Sequence, residues 1–147
     1  MDPRDFLSVA AKLVAGPNPS PADCRTVIGR SYYAALNVVA AIVDELNIPR
    51  DKSKESHKEV TDLVANSHDR NLKAACDSIA NQKMLRNRAD YDMSNRDVET
   101  VQKASMALLL AKDAIRKVDG VRLNPDQWRV ATHNIVEYAR NIQKKVF

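Results

Sequence analysis

Two guanidiniums, a carboxylate and a phenol fall within seven consecutive residues of this chain. The segment, residues 85–91, reads Leu85-Arg86-Asn87-Arg88-Ala89-Asp90-Tyr91. An arginine fork binds carboxylates and phosphates through paired hydrogen bonds. Apolar residues at helical spacing lie on both sides of the segment, and neither Gly nor Pro explains a break. We therefore expect a polar junction between two helices, at which a ligand binds.

A second group of polar side chains recurs at helical spacing in the long segment after Ser20. Arg30, Tyr33 and Asn37 are three and four residues apart, so they share one face of an α-helix. Apolar residues form the neighbouring stripe, which we expect to lie in the core. The polar face is therefore the second place where chemistry is expected.

The composition is that of one folded domain with a mildly basic surface. A chain of 147 residues can bury roughly two-thirds of its unfolded surface, which is enough to fold without disulfides or metals. The formal net charge is +4, and charges of both signs are interleaved, so charge alone does not indicate nucleic-acid binding. Cys24 and Cys76 show neither metal-ligand spacing nor a disulfide framework.

A cytoplasmic location is expected from the absence of targeting patterns. Residues 1–5 lack the basic start and apolar core of a signal peptide. No segment is expected to provide the roughly 18 apolar residues of a membrane span.

Start and stop patterns divide the chain into helices. Ser20 with Asp23 three residues on is typical of a helix start, as is Ser94 with Asp97, and Gly120 is typical of a helix end. Apolar residues recur every three or four positions, and no window alternates as a strand does. The expected helical segments are residues 2–16, 20–47, 56–65, 72–85, 94–119 and 124–147.

These segments predict an all-α fold, an antiparallel helical bundle of five or six helices. A single domain is expected over residues 1–147, with a core bundle over 22–118. The segment 124–147 follows a break, so its apolar stripe either joins the bundle or covers an interface.

Two segments resemble the signature segments of small bacterial and archaeal HEPN domains. The first reads Arg30-Ser31-Tyr32-Tyr33-Ala34-Ala35-Leu36-Asn37, and the second is residues 85–91. The second is the more specific, because an Arg, two variable residues and then Ala-Asp-Tyr is similar to one branch of that family. The likeness covers about residues 22–118.

The resemblance implies a HEPN-like bundle that forms a homodimer, with both segments at a shared cleft. Active relatives are metal-independent ribonucleases, and many act as the toxin of a toxin–antitoxin or defence pair with a nucleotidyltransferase-like partner. In these enzymes an Arg is followed after four to six residues by a His. The His moves protons while the Arg steadies the phosphate charge.

This sequence lacks that His. The fifth position after Arg86 is Tyr91, and no His follows Arg88 at positions 93–95. A tyrosine with an unperturbed pKa near 10 is a poor general base at neutral pH. Asn37 stands where relatives often have a His, and it cannot shuttle a proton. Arg86 and Tyr91 remain as catalytic candidates, and binding is favoured over catalysis.

Structural roles stand beside these functional ones. Arg86 could pair with Asp90 or Asp92 and close a helix end instead of meeting a phosphate. Arg30 could bind Asp90 across the bundle. The two aspartates have no third ligand in register, so neither a metal nor a cofactor is expected.

The aromatic and imidazole groups also have ordinary structural interpretations. Tyr33 and Tyr91 are typical of core-edge residues whose hydroxyls find a polar partner. His57 resembles a His often found at the start of the third helix of HEPN domains, but a lone imidazole there is typical of a helix start or a surface position.

Three functions remain open: a non-catalytic module that binds RNA, a nucleotide or a protein; a ribonuclease; and a structural scaffold. The first is preferred. Its expected binding residues are Arg30, Tyr33, Asn37, Arg86, Arg88, Asp90 and Tyr91. A homodimer is expected from the resemblance and from the small-residue face formed by Ala104, Ala107 and Ala111.

Overall fold

The computed structural model describes residues 1–52 and 56–147, and the described chain contains helices but no strands. The α-helices are α1 (Asp5–Val14), α2 (Pro21–Glu45), α3 (Ser56–Ala65), α4 (Arg70–Tyr91), α5 (Val101–Arg122) and α6 (Pro125–Asn141). A short 3₁₀ helix, Arg96–Glu99, precedes α5. The predicted all-α bundle is confirmed.

Side-chain caps fix where most helices begin. Ser20 and Asp23 form the complete capping box predicted for α2, which satisfies two exposed backbone donors at once. Asn124 caps α6 through the backbone N–H of Gln127. The expected helix 56–65 is present as α3, and residues 53–55, which precede it, lie outside the described residues.

Three expected boundaries are wrong. The fifth helix begins at Val101, capped by the Thr100 hydroxyl, because Arg96–Glu99 forms a separate 3₁₀ turn. Gly120 lies inside α5, which continues to Arg122. The last helix ends at Asn141, and the remaining residues form an irregular segment in which Lys145 donates to the main-chain oxygen of Pro49.

The largest correction concerns residues 85–91, which are not a junction. They form the last two turns of α4, which ends at Tyr91. Ala89 is buried against Ile28, Val98 and Ala107, so packing holds this stretch in the helix despite its polar composition. The chain leaves the helix only at Asp92.

The bundle is built around α2, which packs against α1, α3, α4 and α5. Its long buried stripe includes Ile28, Tyr32, Val39 and Ile42. By length and composition alone, the whole of α2 is apolar enough to cross a membrane, contrary to the sequence expectation. Most of it is buried by the other helices, as in the central helix of a soluble bundle.

The last helix belongs to the bundle. Ala131, Ile135 and Ala139 are fully buried in the main core, and α6 packs against α3 and α5. Its apolar stripe is therefore covered within the chain.

The small-residue face of α5 is also covered within the chain. Ala104, Ala107 and Ala111 are all buried, and α5 makes its most extensive contacts with α2. These alanines therefore allow close helix packing inside one copy, and they offer no free surface to a second copy.

Candidate functional site

Arg86 lies at the centre of a group of tyrosine rings. Its Cζ atom is 5.0 Å from the ring centre of Tyr32, 5.2 Å from that of Tyr33 and 5.6 Å from that of Tyr91. The residue is only 5% exposed. A guanidinium over aromatic faces is held by cation–π attraction, which strengthens when water is excluded.

The polar contacts of Arg86 are few and long. Nη1 donates to the Tyr91 hydroxyl at 3.3 Å and lies 3.7 Å from a carboxylate oxygen of Asp90. The buried Nε atom has no acceptor among the described residues. Arg86 therefore pairs with Asp90, and the ring cluster rather than an open cleft surrounds its guanidinium.

The imidazole of His57, on α3, joins the same cluster. Its Nδ1 atom lies 3.1 Å from the Tyr32 hydroxyl. Its ring centre is 5.9 Å from that of Tyr32 and 6.0 Å from that of Tyr33. The structure thus brings His57, on α3, beside the tyrosines that enclose Arg86, which is on α4.

Burial and neighbouring cations set the protonation of this imidazole. Burial lowers the pKa of His57, and the positive charges of Arg86, Lys83 and Arg50 lower it further. Burial raises the pKa of the Tyr32 hydroxyl, and Arg86 opposes this only partly. At neutral pH both groups are uncharged. When Tyr32 donates to Nδ1, the imidazole proton is on Nε2, which is then a hydrogen-bond donor.

Tyr33 separates two polar clefts on the surface above this cluster. The first has a volume of about 240 Å³ and is lined by Thr26, Gly29, Arg30, Tyr33 and Asp90. Gly29 makes room for the Asp90 carboxylate, since a Cβ atom there would lie 3.1 Å from Oδ1. Arg30 does not pair with Asp90, because its guanidinium lies over the ring of Phe6, at 5.1 Å.

The second cleft, between α2 and the start of α3, is the more cationic. Its volume is about 230 Å³. The polar lining residues are Tyr33, Asn37, Arg50, Lys52, Ser56 and His57. Arg50 is neutralised by two hydrogen bonds of 2.9 Å to Asp44, whereas Lys52 is exposed. A small anionic or aromatic group fits this set of donors and rings.

Five of the seven expected binding residues line three separate surfaces, whereas Arg86 is buried and Tyr91 is exposed outside them. Arg30, Tyr33 and Asp90 share the first cleft, and Tyr33 and Asn37 share the second. Arg88 lines a different groove, between α4 and α5.

Arg25 is the most important structural residue that the sequence analysis missed. Its buried guanidinium donates to the main-chain oxygens of residues 88, 89, 92, 93 and 95. It also forms an ion pair of 2.9 Å with Glu99. Arg25 therefore closes the C-terminal end of α4 and fixes the turn that follows. The sequence did contain a signal for a buried arginine, because Arg25 lies between Cys24 and Val27, which are both buried.

Lys52 and His57 were missed as members of one cleft. Lys52 lies in the connection after α2 and His57 in the first turn of α3, so no local pattern indicates that they face the same cleft.

Asp90 and Asp92, which flank Tyr91, both have partners within the chain, since Asp90 lies beside Arg86. Asp92 accepts hydrogen bonds from the backbone and hydroxyl of Ser94, and these bonds lower the pKa of its carboxyl. Within the described residues, no three His, Cys, Asp or Glu side chains are grouped so as to hold a metal ion.

Comparison with models of known families, with curated proteins and with solved structures gave no significant match. The resemblance to HEPN domains stays a prediction that rests on the two segments. The candidate site consists of two polar clefts on the surface. Beneath them lies Arg86, which is covered by tyrosine rings.

Proposed function

We propose that this chain is a cytoplasmic HEPN-type domain that binds RNA or a nucleotide without cleaving it, and that it acts as a homodimer. The observation that carries the proposal is the cleft between α2 and α3. There Lys52, the imidazole of His57 and the phenol ring of Tyr33 line one open volume. A cation and two ring systems suit a phosphate joined to a base.

The two aromatic groups supply a sequence-tolerant contact. Stacking of one base on a protein ring stabilises binding by about 1–3 kcal/mol, and it accepts any base. Lys52 supplies a point charge for a phosphate, and the Nε2 donor of His57 adds a hydrogen bond. The arrangement therefore favours a short single-stranded RNA or a nucleotide over a double helix, whose bases are already stacked.

The state of Arg86 supports binding over catalysis. A catalytic arginine has to reach the charge that develops on the phosphate, but Arg86 is covered by Tyr32, Tyr33 and Tyr91. Tyr91 accepts a hydrogen bond from that arginine, and its phenol is a poor base near pH 7.

The test is a titration of the purified protein with a labelled single-stranded RNA and with a mononucleotide at several salt concentrations. We expect affinity to fall as salt rises, because phosphate contacts release counterions. Lys52→Glu should weaken binding by about tenfold or more, since it replaces an attraction by a repulsion. The matched control is Lys12→Glu, which reverses the charge of an exposed residue on α1. Absence of binding at low salt, or equal losses in the two variants, would leave the structural scaffold as the better function.

A metal-independent ribonuclease is the second candidate. The observation that favours it is the position of His57, which contacts Tyr32 and Tyr33 beside Arg86. This role needs the other tautomer of His57, in which Nδ1–H donates to the Tyr32 hydroxyl and Nε2 is free to take a proton from a ribose hydroxyl. Such an enzyme would fit the toxin of a pair with a nucleotidyltransferase-like partner.

Incubation of single-stranded RNA with the protein in a chelator decides between the two candidates. Cleavage that His57→Ala abolishes and His133→Ala leaves intact would establish the ribonuclease. Binding without cleavage is the result we expect.

A further inference from the structure

A further pocket, of about 280 Å³, lies between α3 and α4. Tyr32 of α2 also contributes to its lining. Among the described residues, His57 alone lines both this pocket and the cleft between α2 and α3. A half-enclosed, mainly apolar pocket with a few polar groups is typical of a small-ligand site. The proposed RNA cleft leaves this pocket unused.

The uncharged polar groups of the pocket wall already have partners within the chain. The Tyr32 hydroxyl lies 3.1 Å from Nδ1 of His57. The Thr61 hydroxyl donates to main-chain oxygens of its own helix. Ile79 and Ala80 add aliphatic surface from α4. The pocket therefore suits an apolar body, and an aromatic ring is favoured because two of the lining residues, Tyr32 and His57, carry rings.

Three charged side chains also line the pocket: Lys58, Asp62 and Lys83. None of them forms an ion pair with another described residue. Lys83 is half-buried, and its positive charge lowers the pKa of His57, so its ammonium group is near that imidazole. Because His57 is uncharged at neutral pH, the pocket has one positive charge in excess. This excess attracts a ligand that carries one negative charge.

The volume of the pocket limits the size of the ligand. A water molecule occupies about 30 Å³ in the liquid, so about 280 Å³ has room for roughly nine or ten non-hydrogen atoms. Benzoate and phenylacetate are of this size. A mononucleotide is much too large.

We propose that the α3–α4 pocket binds a small aromatic carboxylate, with its ring beside Tyr32 and Ile79 and its carboxylate at Lys58 and Lys83. Asp62 opposes a second negative charge, so the pocket selects a carboxylate over a dianionic phosphate ester. The site is additional to the proposed RNA cleft and does not depend on it.

The test is a titration of the whole protein with benzoate, followed by amide NMR spectra. We expect a dissociation constant below about 1 mM, which a ligand of this size allows, and shifts centred on α3 and α4. Benzamide has the same shape without the charge, and it should bind about tenfold more weakly. Acetate, which lacks the ring, should also bind about tenfold more weakly, and phenyl phosphate should bind no more tightly than benzoate.

Charge variants test the assigned carboxylate position. Lys83→Glu should weaken benzoate binding by about tenfold, because it replaces an attraction by a repulsion. Lys112→Glu, which reverses the charge of an exposed residue on α5, is the matched control and should leave binding unchanged. Asp62→Asn should strengthen binding by about threefold, because it removes the opposing charge. A misfolded variant would not produce that gain.

A steric variant tests the assigned ring position. Ala80→Leu should abolish benzoate binding, because the larger side chain fills the pocket. Ala80 is exposed to solvent, so the variant should fold, which circular dichroism checks.

Absence of benzoate binding up to about 10 mM overturns the proposal. So does binding that Lys83→Glu and Asp62→Asn both leave unchanged, equal affinity for benzamide, or tighter binding of phenyl phosphate. The outcome is separate from that of the RNA cleft, since Lys52→Glu should change benzoate affinity by less than about twofold.

Discussion

Nη1 of Arg25 on α2 donates a hydrogen bond of 2.8 Å to the main-chain oxygen of Ala89 on α4. The same guanidinium forms an ion pair with Glu99, which precedes α5. One side chain thus connects α2, the end of α4 and the 3₁₀ helix, and it satisfies carbonyls that the end of a helix leaves without partners.

Replacing Arg25 by Met should lower the free energy of unfolding by about 3–5 kcal/mol, because it strands a partly buried carboxylate and several carbonyls. Arg25→Lys should recover little of this loss, since one ammonium cannot reach both Glu99 and the carbonyls that the fork serves. Urea denaturation followed by circular dichroism measures the change. Arg30→Met, on an exposed part of the same helix, should cost about 1 kcal/mol or less. Equal losses of unfolding free energy for Arg25→Met and Arg30→Met would contradict the structural role of Arg25.

Arg86 should behave as a structural residue. We expect Arg86→Met to lower the free energy of unfolding by about 2–4 kcal/mol, because three ring contacts and the Asp90 pair are lost from a buried position. RNA affinity, measured at a temperature at which the variant is folded, should change by less than about threefold. Asn87→Ala, exposed on the same helix, is the control. A stable Arg86→Met variant that no longer binds RNA would show instead that Arg86 meets the phosphate.

Stability should fall as the pH drops from 7.5 towards 5.5, in part because of His57. The pKa of His57 is lowered in the folded protein, so the unfolded chain takes up a proton first, near pH 6.5, and this favours unfolding. The loss continues until the pH reaches the lower, folded pKa. Melting temperatures of the unchanged protein and of His57→Gln should therefore converge or cross as the pH falls. His133→Gln, exposed on α6, should keep the original pH profile.

The last helix should be indispensable to the bundle. Ile135→Ala removes a fully buried side chain from the main core and should cost about 2–5 kcal/mol. Val130→Ala, on the same helix but 48% exposed, should cost less than about 1 kcal/mol. Chemical denaturation of both variants measures the difference. A small loss at Ile135 would mean that α6 folds apart from the other helices.

The helices were predictable where their signals are local. Ser20 with Asp23 begins α2, and Asn124 begins α6, because a capping side chain bonds to backbone only two or three residues away. The fold class followed from apolar periodicity for the same reason. The expected break at residues 85–91 was wrong, since the polar residues there stay helical through the burial of Ala89 and the carbonyl contacts of Arg25, which comes from another helix.

The sequence by itself determined that this protein is a helical bundle, and it singled out the polar residues around Tyr33 and Arg86 as the expected site. The tertiary structure alone decided how they are used. It encloses Arg86 in tyrosine rings, brings His57 to Tyr32, and turns Arg88 to a separate groove. These outcomes depend on how α2, α3 and α4 rotate against one another to bury their apolar stripes, and no local pattern encodes that rotation.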